Sequence, residues 1–231
     1  MRFAVHGDPW LAEVMRRPVF RVDGTGDPSV VAAHVATQQH GFYFAKVATD
    51  QIDDVGALSR LGFTVVDTNV AFELTRELAP VADIDVGEIA PGEEDAVLDI
   101  AGSAFRYSRF HLDPAVGLPL AHQIKRAWIE NYVRRKRGDT LLVARHAGTP
   151  CGFLAPITAH GTAVIDLVAV APDTHGRGLG SALVAAFANR YRGMRRIVGT
   201  QIANVPSIRL YTKLGFVLEK SQYVLHLHAG S

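Results

Sequence analysis

The chain has 231 residues, 48% of them hydrophobic and 20% charged, enough to bury a substantial core in one large domain or two small ones. With 24 basic and 23 acidic side chains its formal net charge is +1, which argues against nucleic acid or an anionic membrane surface as the main partner. The single cysteine, Cys151, excludes an internal disulfide and any multi-thiolate metal site, and fits a reducing cytoplasm.

The opening residues carry Asp8 and Pro9 where a secretory signal needs an apolar run. The apolar run 182–188 is far short of the ~20 residues of a membrane span, so a soluble, cytoplasmic protein is expected. In chain order, residues 3–5 and 19–22 read as short strands, and the second runs into the turn cluster 24–28. A helix is expected over 30–39 with Gly41 as its C-cap, a buried strand over 42–48, a helix over 53–61 closed by Gly62, and a strand over 63–74. The weak stretch 76–85, which contains Pro80, reads as a boundary between domains 1–80 and 81–231. Beyond it come a strand over 86–89 and a helix over 92–106 fronted by Glu93, Glu94 and Asp95, acids that suit a helix N-terminus. A loop over 107–120 precedes a helix over 124–137. Strands follow over 141–145, 152–158 and 164–170, then a helix over 179–191, a strand over 197–202, a helix over 206–214 and a last strand over 216–227. Alternating strands and helices place the fold in the α/β (mixed α+β) class.

Residues 44–74 align without gaps on 197–227, at an offset of 153. Leu61-Gly62-Phe63 thereby faces Leu214-Gly215-Phe216. Leu-Gly-Phe is a cheap helix-to-strand turn, since Gly supplies φ > 0 and Phe enters the core, so chance remains open beside duplication. The matched element order favours duplication.

The segment 164–181 carries the strongest chemical signal. An apolar strand runs into Asp173-Thr-His-Gly-Arg-Gly-Leu-Gly-Ser181 and then into an amphipathic helix. Glycines allow a ligand to approach the backbone, and the amides of the helix N-terminus, with its partial positive charge, receive phosphate well. The pattern is neither the dinucleotide fingerprint nor a P-loop. A second signal is Asn204-x-x-Ser207 with Tyr211 one turn on, where simple caps and a core aromatic are the alternatives.

Together and in this order, the two signals resemble the N-acetyltransferases of the GNAT family. The resemblance implies the GNAT acyl-CoA N-acyltransferase fold, with a catalytic domain preceded by a smaller, degenerate GNAT-like half-domain, and acetyl-CoA as co-substrate. It implies that main-chain groups of Val168, Ala169 and Val170 pair with the pantetheine arm. His175, Gly176, Arg177, Gly178, Leu179, Gly180 and Ser181 would cradle the pyrophosphate. Asn204 and Ser207 would hold the cofactor, and Tyr211 would protonate the departing thiolate. His175 departs from the Gln or Arg usual at that position.

Residues 104–110 and 128–131 are similar to the branch of the family that acetylates the 4-amino group of nucleotide-linked (dTDP) deoxysugars. Arg109, His111, Lys125 and Arg126 are the candidates for meeting a diphosphate through charge-assisted hydrogen bonds. Arg134-Arg135-Lys136-Arg137 reads as a solvated helix face, Trp128 and Cys151 as structural residues. Asp166, inside an apolar strand, is either a residue that orients a deprotonating water or a sheet-edge residue. Acetylation of another small amine (an amino acid or aminoglycoside) and non-catalytic acyl-CoA binding are the competing readings. No metal is expected, and the last strand is a candidate for supporting a homodimer.

Overall fold

The computed structural model describes residues 2–81 and 83–230. The first stretch folds as β1 (Ala4–Gly7), α1 (Pro9–Met15), β2 (Val19–Asp23), α2 (Ser29–Gln38), β3 (Gly41–Ala48), α3 (Ile52–Arg60) and β4 (Thr64–Leu74). The second contains β5 (Asp85–Glu88), α4 (Glu94–Ser103), α5 (Leu118–Val133), β6 (Leu142–His146), β7 (Thr149–Ala159) and β8 (Thr162–Val170). It continues, after a 3-10 turn at Pro172–Thr174, with α6 (Leu179–Arg190), β9 (Arg195–Gln201), α7 (Val205–Leu214) and β10 (Phe216–Ala229). All ten strands join one sheet in the order β1-β2-β3-β10-β4-β9-β8-β7-β6-β5.

Most element boundaries follow the sequence pattern; the departures have local causes. Helix α1 has no counterpart in the sequence reading, because seven residues are too few to display a helical period. Its start is nonetheless written locally: the Asp8 carboxylate accepts from the Leu11 amide at 2.9 Å, and Pro9 opens the first turn. Gly41 is not the cap of α2. Gln39 closes that helix at φ +58°, and Gly41 begins β3, where a Cβ would lie 3.2 Å from the Phe20 ring. Pro119 draws the start of α5 forward to Leu118, and the helix ends at Val133, before Arg135 at φ +53°. The basic run 134–137 therefore lies beyond the helix. The linker expected over 76–85 includes residue 82, which lies outside the described residues.

The centre of the sheet carries the repeat. β10 inserts between β3 and β4, and β4 lies between β10 and β9. Gln222 pairs with Ala48, and the positions 153 residues away, Asn69 and Gln201, pair with each other. Asn69 also pairs with Gln222, its own counterpart, so a pseudo-twofold axis passes between them. The β10·β4 ladder skips Glu219 on one side and Val66 on the other, again counterparts at the same offset. Chance similarity at one turn does not reproduce register and both bulges, which supports duplication. Each half lends its last strand to the other. β10 is paired with β4 along most of its length and with β3 over Gln222–Ala229, so over the shared stretch 222–226 neither edge is free.

Helices cover both faces. On one, α2 and α3 pack Val31 and Leu58 against Tyr43 and Ala45 of β3, while α6 and α7 pack Leu183 and Tyr211 against Val70 and Phe72 of β4. On the other, α4 and α5 pack Val97 and Ile129 against Phe153 and Leu167, and α5 with α1 covers Phe42 and Phe44. Each fully buried Leu, Ile or Phe contributes about 1.5–3 kcal/mol. Along the sheet centre, the second face presents Lys46, Asp67, Asn69, Gln201 and Gln222 instead of apolar residues.

Candidate active site

β8 and β9 are parallel but paired only from Thr162–Ile165 to Arg195–Val198. β8 continues to Val170 and β9 to Gln201 without further pairing, so the β8 edge at Val168, Ala169 and Val170 keeps main-chain donors and acceptors free of β9. The divergence begins at a bulge. The β7·β8 register shifts at Ala155/Pro156 and leaves Asp166 unpaired, which increases the local twist.

The strand leads into the glycine turn. Gly176 and Gly178 have φ of +81° and +82°, a conformation that glycine adopts without strain, and Gly178 is the N-cap of α6. No side chain caps the first amides of α6, so they remain available to an anion. Leu179 anchors the turn in the core at 4% exposure, and a Cβ on Gly180 would lie 3.4 Å from Leu210. His175 and Arg177 are exposed, and the His175 Nε2 lies 3.1 Å from the Val170 carbonyl.

Across the opening, Asn204 caps α7: its Oδ1 accepts from the Ser207 amide at 3.4 Å while its Nδ2 donates to Thr200 Oγ1 at 3.1 Å. The cap and the site reading use the same residue. Tyr211 is 2% exposed, packed on Phe216 and Phe72, with Ser207 one turn before it on α7. Burial pushes its pKa above the ordinary phenol value, so the hydroxyl keeps its proton at neutral pH.

The acceptor candidates separate. Arg109 lies flat against the Phe44 and Phe110 rings, at 3.9 and 4.3 Å, and its Nη1 reaches His226 Nε2 at 3.4 Å. Lys125 is 7% exposed with its ammonium over Phe105 and Trp128; desolvation lowers its pKa to about 7, Asp166 opposes the shift, and Arg109 and Lys46 reinforce it. Lys46 of β3, which the sequence reading passed over, joins the same group of charges. Arg126 does not: adjacent helix positions point about 100° apart, and its guanidinium is ion-paired with Asp99 at the surface. His111 is bonded to Ser108 Oγ at 2.6 Å and faces His122; burial chiefly lowers its pKa to about 4, so it brings no charge to a diphosphate at pH 7.

Asp113 holds the loop between α4 and α5 onto β10. One of its oxygens accepts from His226 Nδ1 at 2.7 Å and from His228 Nε2 at 2.8 Å, and Arg17 and Arg109 contact the remaining ring nitrogens.

Asp166 is neither a free base nor an edge residue. It accepts from Trp128 Nε1 at 2.8 Å, Tyr132 Oη at 2.7 Å and Arg137 Nε at 2.7 Å. These donors hold its pKa below the usual carboxylate value against desolvation. Arg137 is thereby tied to the sheet instead of forming part of a solvated face. Asp166→Asn leaves Arg137 without its buried partner and should cost about 2–4 kcal/mol. Because the folded pKa is depressed, this stabilisation is present above the unfolded carboxylate pKa and fades as pH falls through the folded value. Urea denaturation of both proteins at pH 7 and pH 3 checks it: the difference should be large at pH 7 and smaller at pH 3.

Beyond their paired stretch the parallel strands β8 and β9 part, the uncapped glycine turn of α6 follows the end of β8, and the Asn204 cap of α7 follows the end of β9. The model of the acetyltransferase (GNAT) family matches residues 96–216, and the chain belongs to that family. The chain is 29% identical over 204 residues to the spore coat polysaccharide biosynthesis protein SpsD of Bacillus subtilis, covering 86% of this chain and 63% of that protein. It is 30% identical over 190 residues to a dTDP-fucosamine acetyltransferase of Escherichia coli, covering 79% and 80% respectively. A GCN5-related N-acetyltransferase from Sphaerobacter thermophilus shares the fold at a TM-score of 0.66 and 15% identity, over 98% of this chain and 76% of that one. No helix among the described residues is long and apolar enough to cross a membrane.

Proposed function

We propose that the protein transfers an acetyl group from acetyl-CoA directly to a primary amine, the 4-amino group of a nucleotide-linked deoxysugar. The free edge at Val168–Val170 suits the pantetheine arm as an added strand, and the amides of 176–180 suit the pyrophosphate. Asn204 and Ser207 would flank the cofactor, and Tyr211 would give its proton to the departing thiolate. Residues 1–80 act in this reading as a half-domain that completes the sheet and walls the acceptor cleft.

The observation that carries the substrate reading is the convergence of Lys46, Arg109 and Lys125 on the face of the sheet beneath α5, while Asp166 is already neutralised by Arg137. Excess positive charge of this kind favours a diphosphate. Trp128, 5.0 Å from the Lys125 ammonium, also lines a cavity of about 410 Å³ with Asp8, Trp10, Asn131, Lys136 and Arg137, which offers a nucleotide an aromatic wall and two cations beside one carboxylate. The two curated relatives, named for polysaccharide biosynthesis and for dTDP-fucosamine acetylation, point the same way.

The expected kcat/KM for a dTDP-4-amino-deoxysugar exceeds that for the free amino sugar by roughly 10²-fold or more, because a fully engaged diphosphate supplies several charge-assisted bonds. Thiol release from acetyl-CoA measures both. Equal values would transfer the reading to the small-amine alternative.

A further inference from the structure

Direct acetyl transfer needs an unprotonated amine, and the obvious carboxylate, Asp166, has its lone pairs committed to three donors. A second carboxylate is less committed. Asp67 of β4 is 6% exposed, and neither of its oxygens meets hydrogen-bond geometry with a donor among the described residues, although the Thr68 amide and the Gln201 side chain stand near enough to favour its charged form. Buried polar groups are normally satisfied, and an orphaned carboxylate costs stability that function can explain. Asp67 and Lys46 are both register partners of Val224, one on each side, so both side chains lie on the face where Arg109 and Lys125 converge. On the same face and the same strand, Asn69 pairs with Gln201 at the end of β9, which forms one wall of the strand opening.

We infer that Asp67 is the general base of the acetyl transfer, a carboxylate brought to the catalytic half by strand exchange from the N-terminal half. The acceptor ammonium gives one proton to Asp67, which later releases it to solvent. The neutral nitrogen attacks the thioester carbonyl, the C–N bond forms and the C–S bond breaks. Tyr211 protonates the sulfur, and the second proton shed by nitrogen restores Tyr211. The pKa of Asp67 suits a general base working near neutral pH. Desolvation raises it to about 6, opposed only in part by the Thr68 amide, Lys46 and Gln201. Lys220 of β10 and Lys125 and Arg109 from the α5 side add to the positive surroundings, which keep an incoming ammonium poised to lose its proton.

The inference rests on N-acetyl transfer but not on the identity of the amine. The test compares wild type, Asp67→Asn and Asp67→Glu across pH 5–10. Asp67→Asn should lower kcat at pH 7 by roughly 10²-fold or more, abolish the acidic limb of kcat/KM near pH 6, and recover as pH approaches the amine pKa. An alkoxyamine acceptor, unprotonated at pH 7, should rescue it; acetyl-CoA affinity should not change. Asp67→Glu should retain the acidic limb at reduced kcat. Thermal unfolding at pH 8 should show Asp67→Asn no less stable than wild type, since an unpaired buried charge has been removed. An unchanged acidic limb, or a rise in acceptor KM alone, would overturn the assignment. If wild type ignores nucleotide sugars but acetylates another amine, the acceptor reading fails and the same comparison runs with that amine; a wild type that acetylates no amine overturns both.

Discussion

Replacing Tyr211 with phenylalanine should lower kcat by roughly 10²–10⁴-fold, the usual worth of a positioned proton donor. The ring itself is core, packed at 5.6 Å on Phe216 and 6.2 Å on Phe72, and phenylalanine fills the same volume. Folding stability should therefore fall by no more than about 1–2 kcal/mol, the worth of one buried hydroxyl's polar contacts. Acetyl-CoA affinity should hold, because the proposed cofactor contacts are the glycine turn and Asn204, which the substitution leaves in place. The measurement is kcat at saturating substrates beside a calorimetric Kd. A kcat within about twofold of wild type would remove Tyr211 as the acid. In the N-terminal half the position equivalent to Tyr211 is Leu58, equally buried and without a proton to give.

Gly178→Val should abolish acetyl-CoA binding, and wild type should bind one molecule per chain. At φ +82° a β-branched residue is strained, and relief of that strain moves the amides that open α6. The equivalent region of the N-terminal half offers no second site. There the Gly26 amide already donates to Asp54 at 2.8 Å, and Asp54 occupies the position equivalent to Ser207. Asp50 and Asp53 line the same cavity, so phosphate would meet three carboxylates. Titration calorimetry decides both points: two sites per chain, or tight binding by the variant, contradicts this reading.

The strand, glycine turn and helix proposed to hold the cofactor were legible because they are local. Strand, glycine turn and helix are consecutive from 162 to 190, and a backbone cradle depends on conformation that glycine spacing writes directly into the chain. The cap and phenol of 204–211 lie within one helix and are read by their spacing. Residue types alone misled where partners decide chemistry. Asp166 looked available until Arg137, Tyr132 and Trp128 closed on it, and Arg126 looked like a ligand until helix geometry turned it toward Asp99.

By itself, then, the amino-acid sequence determined the class of fold, the repeat and the signature of the GNAT family, all encoded in short-range periodicity and turn chemistry. Only the tertiary structure decided which charges share the second face of the sheet. Lys46 and Asp67 are separated from Lys125 by long stretches of chain, and nothing local distinguishes them from ordinary strand residues. Lys46 and Asp67 flank Val224 because β10 inserts between β3 and β4 across a pseudo-twofold axis, a pairing governed by long-range register and by the burial of both faces of the sheet.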